Sequence, residues 1–290
     1  MTVLLFPGQG SQFVGMGKDS YEASDDAKKW FDQADDQIGY KLSSIMFDGT
    51  DEDLKQTKVT QPAVFLHSII RYYLHSENLQ ASAVAGHSLG EITALVANGV
   101  LSFSDGLNLV QKRSLVMQDA CNDTEGTMAA ILGLEDEKVE DICNGIDAVV
   151  VAANYNCPGQ LVISGSIEGI NIAVEVAKEQ GAKRALVLNV NGAFHSPLML
   201  PAQDTLQKTI EETTFNKPSC PIYQNVNGEA TTDTELIQLN LIKQLTSPVR
   251  WTQTMKNMVA DGHNEYNEYG AKVLSGFFRR IDRSLVVNQV

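Results

Sequence analysis

The pentapeptide Gly86-His87-Ser88-Leu89-Gly90 constrains the fold of this chain more strongly than its overall composition does. A short apolar run, 83–85, precedes it, and a helix-forming segment, 91–98, follows it directly. Glycines on both sides of a serine permit a sharp strand-to-helix turn with the serine at its apex, whereas a chance pentapeptide would lack this flanking order. The start of the helix supplies unpaired N–H groups where an oxyanion would form. The pattern therefore predicts a nucleophile elbow that presents Ser88.

The charge balance is strongly acidic, with 36 Asp and Glu residues against 22 Lys and Arg residues and a net charge of −14. This balance argues against a nucleic-acid partner, because phosphate backbones require a basic face. No apolar run approaches the length of a membrane span, and the N-terminal run 1–6 lacks the basic segment of a signal peptide. The four cysteines show no paired spacing. We predict a cytoplasmic protein with reduced thiols, no membrane association and no metal site.

The middle of the chain predicts a separate structural unit within an α/β protein. Strand and helix patterns follow one another over about residues 125–190 in the order β-α-β-β-α-β, which is the order of a ferredoxin-like unit. We therefore predict that 125–190 forms a small inserted subdomain, while 1–124 and 191–290 together form the large catalytic domain. Towards the end of the chain, Tyr266 marks a last strand, and a helix over 272–285 completes the fold.

His195 is the natural partner to seek for Ser88. A serine hydroxyl is a weak nucleophile until a neighbouring imidazole takes its proton. Of the five histidines, His195 lies in a predicted loop at the junction of the two domains, within Ala193-Phe194-His195-Ser196. A lone histidine in a loop is more often inert, so its position alone gives only a hypothesis. A third triad member has no clear candidate, although Asp105 and Asp119 lie between the serine and the histidine.

Seven motifs are spread in order over nearly the whole chain. They are Gly8-Gln9-Gly10-Ser11-Gln12, Thr60-Gln61-Pro62-Ala63, Gly86-His87-Ser88-Leu89-Gly90-Glu91, Gln111-Lys112-Arg113, Asn154-Tyr155-Asn156-Cys157-Pro158-Gly159-Gln160, Ala193-Phe194-His195-Ser196 and Ser247-Pro248-Val249-Arg250-Trp251. In this order they resemble the malonyl-CoA:acyl carrier protein transacylases of bacterial fatty acid synthesis. The resemblance implies an α/β-hydrolase-like large domain interrupted by a ferredoxin-like small subdomain, in agreement with the pattern of strands and helices.

The resemblance also implies a serine acyltransferase that works by a ping-pong route. Ser88 would attack the thioester carbonyl of malonyl-CoA, and His195 would take its proton and return it to the leaving thiol. Backbone N–H groups of Gln9 and Leu89 would form the oxyanion hole, where each preorganised donor supplies roughly 3–4 kcal/mol. The malonyl group would then pass from Ser88 to the phosphopantetheine thiol of an acyl carrier protein. No metal or other cofactor is implied, and a monomer is expected.

Three further residues are assigned to the substrate by the resemblance. Arg113 would pair bidentately with the free carboxylate of the malonyl group, which a planar fork of donors suits better than lysine does. Gln61 would also contact the substrate. The bulky Phe194 beside His195 would clash with a branch methyl, so malonyl is expected to be preferred over methylmalonyl.

Two stretches near the C-terminus concern the geometry of the site. The family orients its histidine with a backbone carbonyl near the Pro-Val-x-Trp stretch, and here the carbonyl of Arg250 would take that role. The family also has a Glu-x-Gly-Pro-Gly turn before its last helix, whereas this chain reads Glu268-Tyr269-Gly270-Ala271-Lys272. The absence of Pro-Gly leaves the substrate contact of this loop open.

Docking of an acidic carrier protein to an acidic chain would need a local basic patch. The candidates, for which a solvated helix face is the alternative, are Lys183, Arg184, Arg279, Arg280 and Arg283.

Two other functions stay open. A free-standing acyltransferase serving a polyketide synthase would use the same chemistry with another carrier, and a serine esterase or thioesterase would admit water to the acyl-serine. Arg113 and Phe194 argue against hydrolysis, because most ester substrates carry no charge.

Overall fold

The computed structural model describes residues 2–77, 79–190 and 192–290. The strands are β1 (Thr2–Phe6), β2 (Ala81–Gly86), β3 (Gly126–Leu132), β4 (Val150–Cys157), β5 (Gln160–Ser166), β6 (Arg184–Val187), β7 (Ile222–Tyr223), β8 (Ala230–Thr231), β9 (Glu265–Glu268) and β10 (Val286–Gln289). The α-helices are α1 (Lys18–Ala23), α2 (Asp25–Ile38), α3 (Leu42–Asp48), α4 (Asp51–Lys55), α5 (Thr57–His75), α6 (Leu89–Ala97), α7 (Phe103–Asp123), α8 (Asp136–Asn144), α9 (Ile167–Glu179), α10 (Leu200–Glu212), α11 (Thr234–Lys243), α12 (Trp251–Ala260) and α13 (Leu274–Ile281). The predicted domain limits at Met1 and Asn191 lie outside the described residues.

Six strands form the larger sheet in the order β10-β9-β1-β2-β7-β8. All neighbouring pairs in it run parallel except the last, in which the short β8 pairs antiparallel with β7. The central strands β1 and β2 are mostly buried, as expected for a parallel sheet covered on both faces. Because the carboxyl ends of parallel strands meet at one edge, the segments after β1, β2 and β7 converge there.

Helices α5 and α7 pack against each other and carry two of the predicted site residues. Gln61 lies on α5 and Arg113 on α7, with exposed fractions of 0% and 1%. A buried guanidinium needs local compensation, because leaving a charge without polar partners in the interior is strongly unfavourable. The packing of the two helices therefore places a cation and a compensating amide inside the protein.

Four strands form a second, antiparallel sheet in the order β4-β5-β3-β6. Helices α8 and α9 pack on it, and the apolar cluster between them includes Ile131, Val139, Ile163 and Ile170. The chain order of these elements is β3-α8-β4-β5-α9-β6, so the predicted order of strands and helices is confirmed.

Backbone hydrogen bonds join β4 to the segment that precedes α12. The N–H of Tyr155 donates to the carbonyl of Val249 at 2.9 Å, and the N–H of Val249 donates to the carbonyl of Ala153 at 2.8 Å. The Thr252 hydroxyl adds a hydrogen bond of 3.0 Å to the Tyr155 carbonyl. The stretch between α11 and α12 is therefore attached to the small sheet.

The end of the chain differs from the sequence prediction. Tyr266 lies in β9 as predicted, but α13 (Leu274–Ile281) is shorter than the expected helix over 272–285, and the edge strand β10 follows it. Val286 in β10 is 53% exposed, so this strand lacks the buried apolar run by which a central strand is recognised. In the part of the chain that the structure describes, no helix is both long and apolar enough to cross a membrane.

Candidate active site

Ser88 lies in the turn between β2 and α6. β2 ends at Gly86 and α6 begins at Leu89, so His87 and Ser88 alone connect them. Ser88 has φ 53° and ψ −108°, and holding a residue with a Cβ atom in such a conformation costs of order 1–3 kcal/mol. Among the non-glycine residues that the structure describes, positive φ occurs only at Ser88 and His195. The predicted strand-turn-helix arrangement is present, and its backbone strain lies at the serine itself.

The two glycines of the motif provide space for a close approach and are not in the left-handed region. A Cβ atom at Gly86 would lie 1.9 Å from the carbonyl of Gly90. A Cβ atom at Gly90 would lie 2.1 Å from the carbonyl oxygen of Phe6. Glycine is therefore required by the close contact of β1, β2 and α6, and the sharp turn is made by Ser88.

His195 contacts the serine directly, with Nε2 2.7 Å from Ser88 Oγ. On the other side of the ring, Nδ1 lies 2.9 Å from the carbonyl oxygen of Gln244 and 3.2 Å from that of Ser247. Because a carbonyl oxygen only accepts, Nδ1 carries the proton, and the lone pair of Nε2 is left to accept from the Ser88 hydroxyl. This is the tautomer that a general base for serine requires.

The prediction that the Arg250 carbonyl orients His195 was wrong. Arg250 is the N-cap of α12, and its carbonyl accepts the N–H of Thr254 at 2.9 Å in the first turn of that helix. Its own N–H donates to the carbonyl of Asn225 at 2.9 Å, and its guanidinium lies 5.5 Å from the centroid of the Tyr155 ring. The helix start therefore uses the carbonyl that the prediction assigned to the imidazole.

Arg113 extends from α7 to the nucleophile. Its Nη2 donates to Ser88 Oγ and to Gln244 Oε1, both at 3.1 Å, and its Nη1 donates to Gln61 Oε1 at 2.7 Å. Its Nε is buried and has no hydrogen-bond partner among the described residues. Within those residues, no carboxylate lies within 4.0 Å of the guanidinium. The hydrogen bonds of this cation go to amide and hydroxyl oxygens, so it retains the capacity to bind an incoming carboxylate.

Burial controls the protonation of the base and of the cation. Burial, reinforced by the Arg113 charge, lowers the pKa of His195 to about 3, although hydrogen bonds to the carbonyls of Gln244 and Ser247 oppose the shift. Burial also lowers the pKa of Arg113 to about 10, with a smaller opposing effect of Glu91. At neutral pH the imidazole is therefore neutral and able to accept a proton, while the guanidinium is charged.

Both predicted oxyanion-hole donors lack a hydrogen-bond partner in the described part of the chain. Leu89 is the first residue of α6, so its N–H has no acceptor within the helix. The N–H groups of Gln9 and Leu89 form no hydrogen bond with any residue that the structure describes. The N–H of Ser88, by contrast, donates to Asn225 Oδ1 at 2.6 Å and is already engaged. The geometry is compatible with the predicted pair of donors.

A cavity of about 840 Å³ contains the nucleophile, a size suited to a small-molecule ligand. Gln9, His87, Arg113, His195 and Phe194 line it together with Ser88. Gln61 does not line it, so its predicted contact with substrate is not supported: Gln61 lies behind Arg113, where its Nε2 donates to Met117 Sδ at 3.3 Å. In the described ranges, no three His, Cys, Asp or Glu side chains are grouped closely enough to hold a metal ion.

The basic residues predicted for carrier docking lie outside this cavity. These residues are Lys183, Arg184, Arg279, Arg280 and Arg283. All five side chains are exposed, and none forms an ion pair with another described residue. The Lys183 side chain packs beside Gly133, whose N–H donates to the carbonyl of Gly159 in the turn between β4 and β5. Burial raises the pKa of the Cys157 thiol at the end of β4, and the nearby Arg280 charge opposes this. Lys183 and Arg280 therefore both lie near the β4–β5 hairpin.

The loop that lacks Pro-Gly is held by the Glu268 carboxylate. This group accepts the N–H groups of Val273 and Leu274 at 2.7 Å and that of Ser275 at 3.0 Å. Gly270 has φ 116°, a conformation that favours glycine. Val273 and Leu274 line the cavity, so Glu268 fixes the start of α13 at the cavity wall.

Three polar residues of the site carried no role in the sequence prediction, namely Glu91, Asn225 and Gln244. Glu91 ends the elbow motif and comes three residues after Ser88. Residues at this spacing on a helix are neighbours, so the spacing could have indicated that Glu91 lies near the nucleophile. Asn225 follows β7, which is parallel to β2, so the carboxyl end of a neighbouring strand was the signal for it. Gln244 comes just after α11, and no sequence signal distinguished it.

A family model describing the acyl transferase domain matches residues 3–268 of the chain. The chain belongs to the acyl transferase family. The malonyl CoA-acyl carrier protein transacylase of Bacillus subtilis (strain 168) is 43% identical over 286 residues, which cover 97% of this acyltransferase and 90% of that protein. The enzyme of the same name from Staphylococcus aureus (strain MRSA252) is 38% identical over 293 residues, covering 100% and 95%. The resemblance carried by the seven motifs is confirmed.

Solved structures extend the similarity to the whole fold of the acyltransferase. The acyl-carrier-protein S-malonyltransferase of Burkholderia pseudomallei 1710b is 39% identical with a TM-score of 0.95, and covers 100% of this chain and 96% of that one. A malonyl-transacylase in complex with a type II PKS acyl-carrier protein is 37% identical with a TM-score of 0.96, covering 100% and 95%. The mixed α/β architecture is therefore shared along the full length of the chain.

Proposed function

We propose that this acyltransferase moves the malonyl group of malonyl-CoA to the phosphopantetheine thiol of an acyl carrier protein, for fatty acid synthesis. The observation that carries the proposal is the buried guanidinium of Arg113, 3.1 Å from Ser88 Oγ. An acyl group that ends in a carboxylate pairs with this cation, whereas an acetyl group leaves it without a counter-ion. The names of the sequence relatives give the same acyl group and carrier.

In the first half-reaction, His195 Nε2 accepts the hydroxyl proton as Ser88 Oγ bonds to the thioester carbon. The resulting oxyanion accepts hydrogen bonds from the N–H groups of Gln9 and Leu89. When the C–S bond breaks, the imidazolium returns the proton to the CoA thiolate. The carbonyl of Gln244 accepts from Nδ1–H throughout, so the ring keeps its orientation in both protonation states.

In the second half-reaction, the thiol of the carrier replaces that of CoA. His195 takes the thiol proton, the thiolate attacks the acyl-serine, and the serine oxygen leaves and regains the proton. The malonyl carboxylate stays paired with Arg113 during the exchange. Serine, imidazole and backbone N–H groups supply every step, so we propose that no metal or other cofactor takes part. The monomeric state and the cytoplasmic location stay predictions.

Intact-mass spectrometry after mixing with malonyl-CoA tests this proposal, with Ser88→Ala as the control. We expect a malonyl adduct on the wild-type protein that is absent from Ser88→Ala and disappears when a holo acyl carrier protein is added. Release of malonate and CoA without an adduct would favour a thioesterase. The absence of both an adduct and turnover would contradict acyl transfer altogether.

A polyketide carrier is the second candidate, because one close structural relative was solved with a type II PKS acyl-carrier protein. Both carriers present the same phosphopantetheine thiol, so the chemistry at Ser88 is identical and only the docking surface distinguishes them. Rates of malonyl transfer to a holo fatty-acid carrier and to a holo polyketide carrier provide the test. The carrier with the higher kcat/KM is the one that the surface recognises.

The architecture supports a finer assignment of domains. We propose an α/β-hydrolase-like domain formed by 1–124 and 191–290, with a ferredoxin-like subdomain formed by 125–190. The strand order β4-β5-β3-β6 and the two helices that pack on this sheet support the subdomain. Its apolar cluster, which includes Ile131 and Ile170, is separate from the main core of the large domain.

Phe194→Ser is expected to admit methylmalonyl-CoA. Phe194 lines the cavity beside the base and is 7% exposed, so loss of its ring opens space for a branch methyl. One methyl group in a pocket alters selectivity by roughly 10–200-fold, so the kcat/KM ratio of methylmalonyl-CoA to malonyl-CoA should rise at least about tenfold. Phe13→Ser, which removes a 45% exposed ring outside the cavity, is the control. A fall in both rates at a constant ratio would contradict the assignment.

We propose that Lys183, Arg184, Arg279 and Arg280 dock the acidic carrier. Reversing Arg279 and Arg280 to Glu should raise KM for the carrier by about tenfold, since charges at the rim of an interface govern encounter. KM for malonyl-CoA should not change. Reversing Lys28 and Lys29 on α2 to Glu makes the same change in net charge elsewhere and serves as the control. An unchanged carrier KM in the arginine variant would exclude this docking surface.

A further inference from the structure

Asn225 bridges the two ends of the strained turn at Ser88. Its Oδ1 accepts the N–H of Ser88 at 2.6 Å, and its Nδ2 donates to the carbonyl of Gly86 at 2.7 Å. The register of β2 and β7 pairs Ala85 with Tyr223, and continuing this parallel register brings Asn225 alongside the turn. A single side chain thus holds the residues on both sides of His87 in a conformation that serine rarely adopts.

Glu91 in turn fixes Asn225. Its Oε2 accepts the backbone N–H of Asn225 at 2.9 Å and the Nε2 of Gln244 at 3.1 Å, and its Oε1 accepts the Nε2 of Gln224 at 3.3 Å. The Glu91 side chain is fully buried in the first turn of α6. Burial raises the pKa of Glu91, while these donors and the Arg113 charge oppose the rise. Each of the three contacts is an N–H donor, and each favours the carboxylate form.

Gln244 extends the support to the cation and to the base. Its Nε2 donates to Glu91 and also to the carbonyl of Ser88 at 3.1 Å, and its Oε1 accepts from Arg113. Its backbone carbonyl accepts from His195 Nδ1. Because both ends of the amide are bonded to a charged group, it cannot flip without losing both contacts. The orientation of Gln244 is therefore set by the Glu91 carboxylate.

The acid that supports His195 in a serine hydrolase has no direct counterpart here. Among the residues that the structure describes, no carboxylate forms a hydrogen bond with His195. Glu91 is a buried acid that accepts hydrogen bonds from Asn225 and Gln244, so one amide residue separates it from the nucleophile and one from the base. An acid at this distance acts on geometry, not by taking a proton from the imidazole.

We propose that Glu91 and Asn225 are positioning residues for acyl transfer. Through Asn225, Glu91 holds Ser88 in its strained conformation, and through Gln244 it orients Arg113 and His195. Neither residue is required to touch the substrate. The inference rests on the proposed function for the reaction it serves, while the reactivity of Ser88 can be measured without malonyl-CoA.

Labelling of Ser88 by diisopropyl fluorophosphate tests the proposal. Ser88 Oγ bonds to phosphorus, fluoride leaves, and His195 takes the serine proton, so the rate reports the nucleophile and base without CoA or a carboxylate. The variants are Asn225→Ala, Asn225→Asp, Glu91→Gln and the double variant Glu91→Gln/Asn225→Ala. The control is Asp35→Asn. Asp35 is also a buried carboxylate, 3% exposed, and it accepts the N–H of Ser43 in a hydrogen bond of 2.9 Å. Asp35 does not line the cavity.

We expect Asn225→Ala and Glu91→Gln each to slow labelling by about 10²-fold, the effect of displacing reacting groups by roughly 1 Å. Asn225→Ala should lower kcat for malonyl transfer and leave KM for malonyl-CoA near the wild-type value. Glu91→Gln should also raise this KM, because Gln244 no longer orients Arg113. The slowing in the double variant should be well below the product of the two single effects, since the effect of Glu91 on Ser88 passes through Asn225.

Asn225→Asp keeps the side-chain volume and the acceptor for the Ser88 N–H, and it provides the measurement if Asn225→Ala does not fold. It loses the donor to Gly86, and the loss of one buried hydrogen bond should slow labelling by about tenfold. Wild-type labelling rates in the folded variants would overturn the proposal, as would an equal slowing in Asp35→Asn at a matched loss of Tm. If the variants are labelled more slowly while the wild-type protein forms no malonyl adduct, the proposed function is refuted and the positioning roles are supported.

Discussion

Arg113→Ala should lower kcat/KM for malonyl transfer by roughly 10²–10³-fold, because truncating one partner of a buried charge pair costs about 2–5 kcal/mol. Without the guanidinium, the malonyl carboxylate enters a site in which Gln61 and Gln244 present amide oxygens. An acetyl group brings no carboxylate, so acetyl transfer should rise relative to malonyl transfer. Steady-state rates with malonyl-CoA and acetyl-CoA give this ratio directly.

Two variants separate charge from structure in this test. Lys112→Ala removes a positive charge from the adjacent position of α7, outside the cavity, and should leave both rates near wild type. Arg113→Lys keeps the charge but loses the planar fork, so it should recover part of the malonyl preference. Equal losses for malonyl and acetyl transfer in Arg113→Ala would mean that the residue only supports the fold.

His195→Ala should slow acylation of Ser88 by about 10³-fold, within the range that a general base contributes. The imidazole Nε2 lies 2.7 Å from the hydroxyl it deprotonates, and among the described residues no other base contacts the serine oxygen. Rapid-quench measurement of the malonyl adduct gives the rate. His263→Ala is the matched control, because His263 contacts Ser82 at 3.2 Å and does not line the cavity. A rate in His195→Ala close to wild type would exclude His195 as the base.

The pH dependence of Ser88 labelling tests the same assignment. Burial and the Arg113 charge lower the pKa of His195 to about 3, so the neutral base persists well below pH 6.5. The labelling rate should therefore stay level from about pH 8 down to about pH 5, where an ordinary histidine would be protonated. Removing the cation in Arg113→Ala raises the pKa of His195 and moves the acid limb to higher pH. An inflection near pH 6.5 in the wild-type protein would contradict this picture.

Residues in short continuous motifs could be assigned from the sequence because their signals are local. The glycines around Ser88, the apolar run before it and the helix after it all lie within one stretch, and the structure shows the same strand-turn-helix order. The periodic patterns over 125–190 likewise predicted the order of the strands and helices of the small sheet. In both cases the pattern and the structure it specifies span the same few residues.

Residues that depend on distant pairing could not be assigned in this way. Asn225 reaches Ser88 because the two-residue strand β7 pairs with β2, and the sequence does not specify which strands pair. Every residue has the same backbone carbonyl, so the choice of Gln244 and Ser247 over Arg250 depends on where α12 begins. Gln61 lies in a recognisable motif, yet only the packing of α5 on α7 shows that it faces Arg113.

The positive φ angles of Ser88 and His195 have a consequence for laboratory evolution of this enzyme. Glycine adopts such angles without the steric penalty of a Cβ atom, so glycine at either position would relieve native-state strain. Stabilising substitutions are readily found in natural proteins, and their recurrent cost is lost function. A screen that rewards heat tolerance alone would therefore favour exchanges that delete the nucleophile or the base. Selection for thermostability in this scaffold needs an activity requirement from the first round.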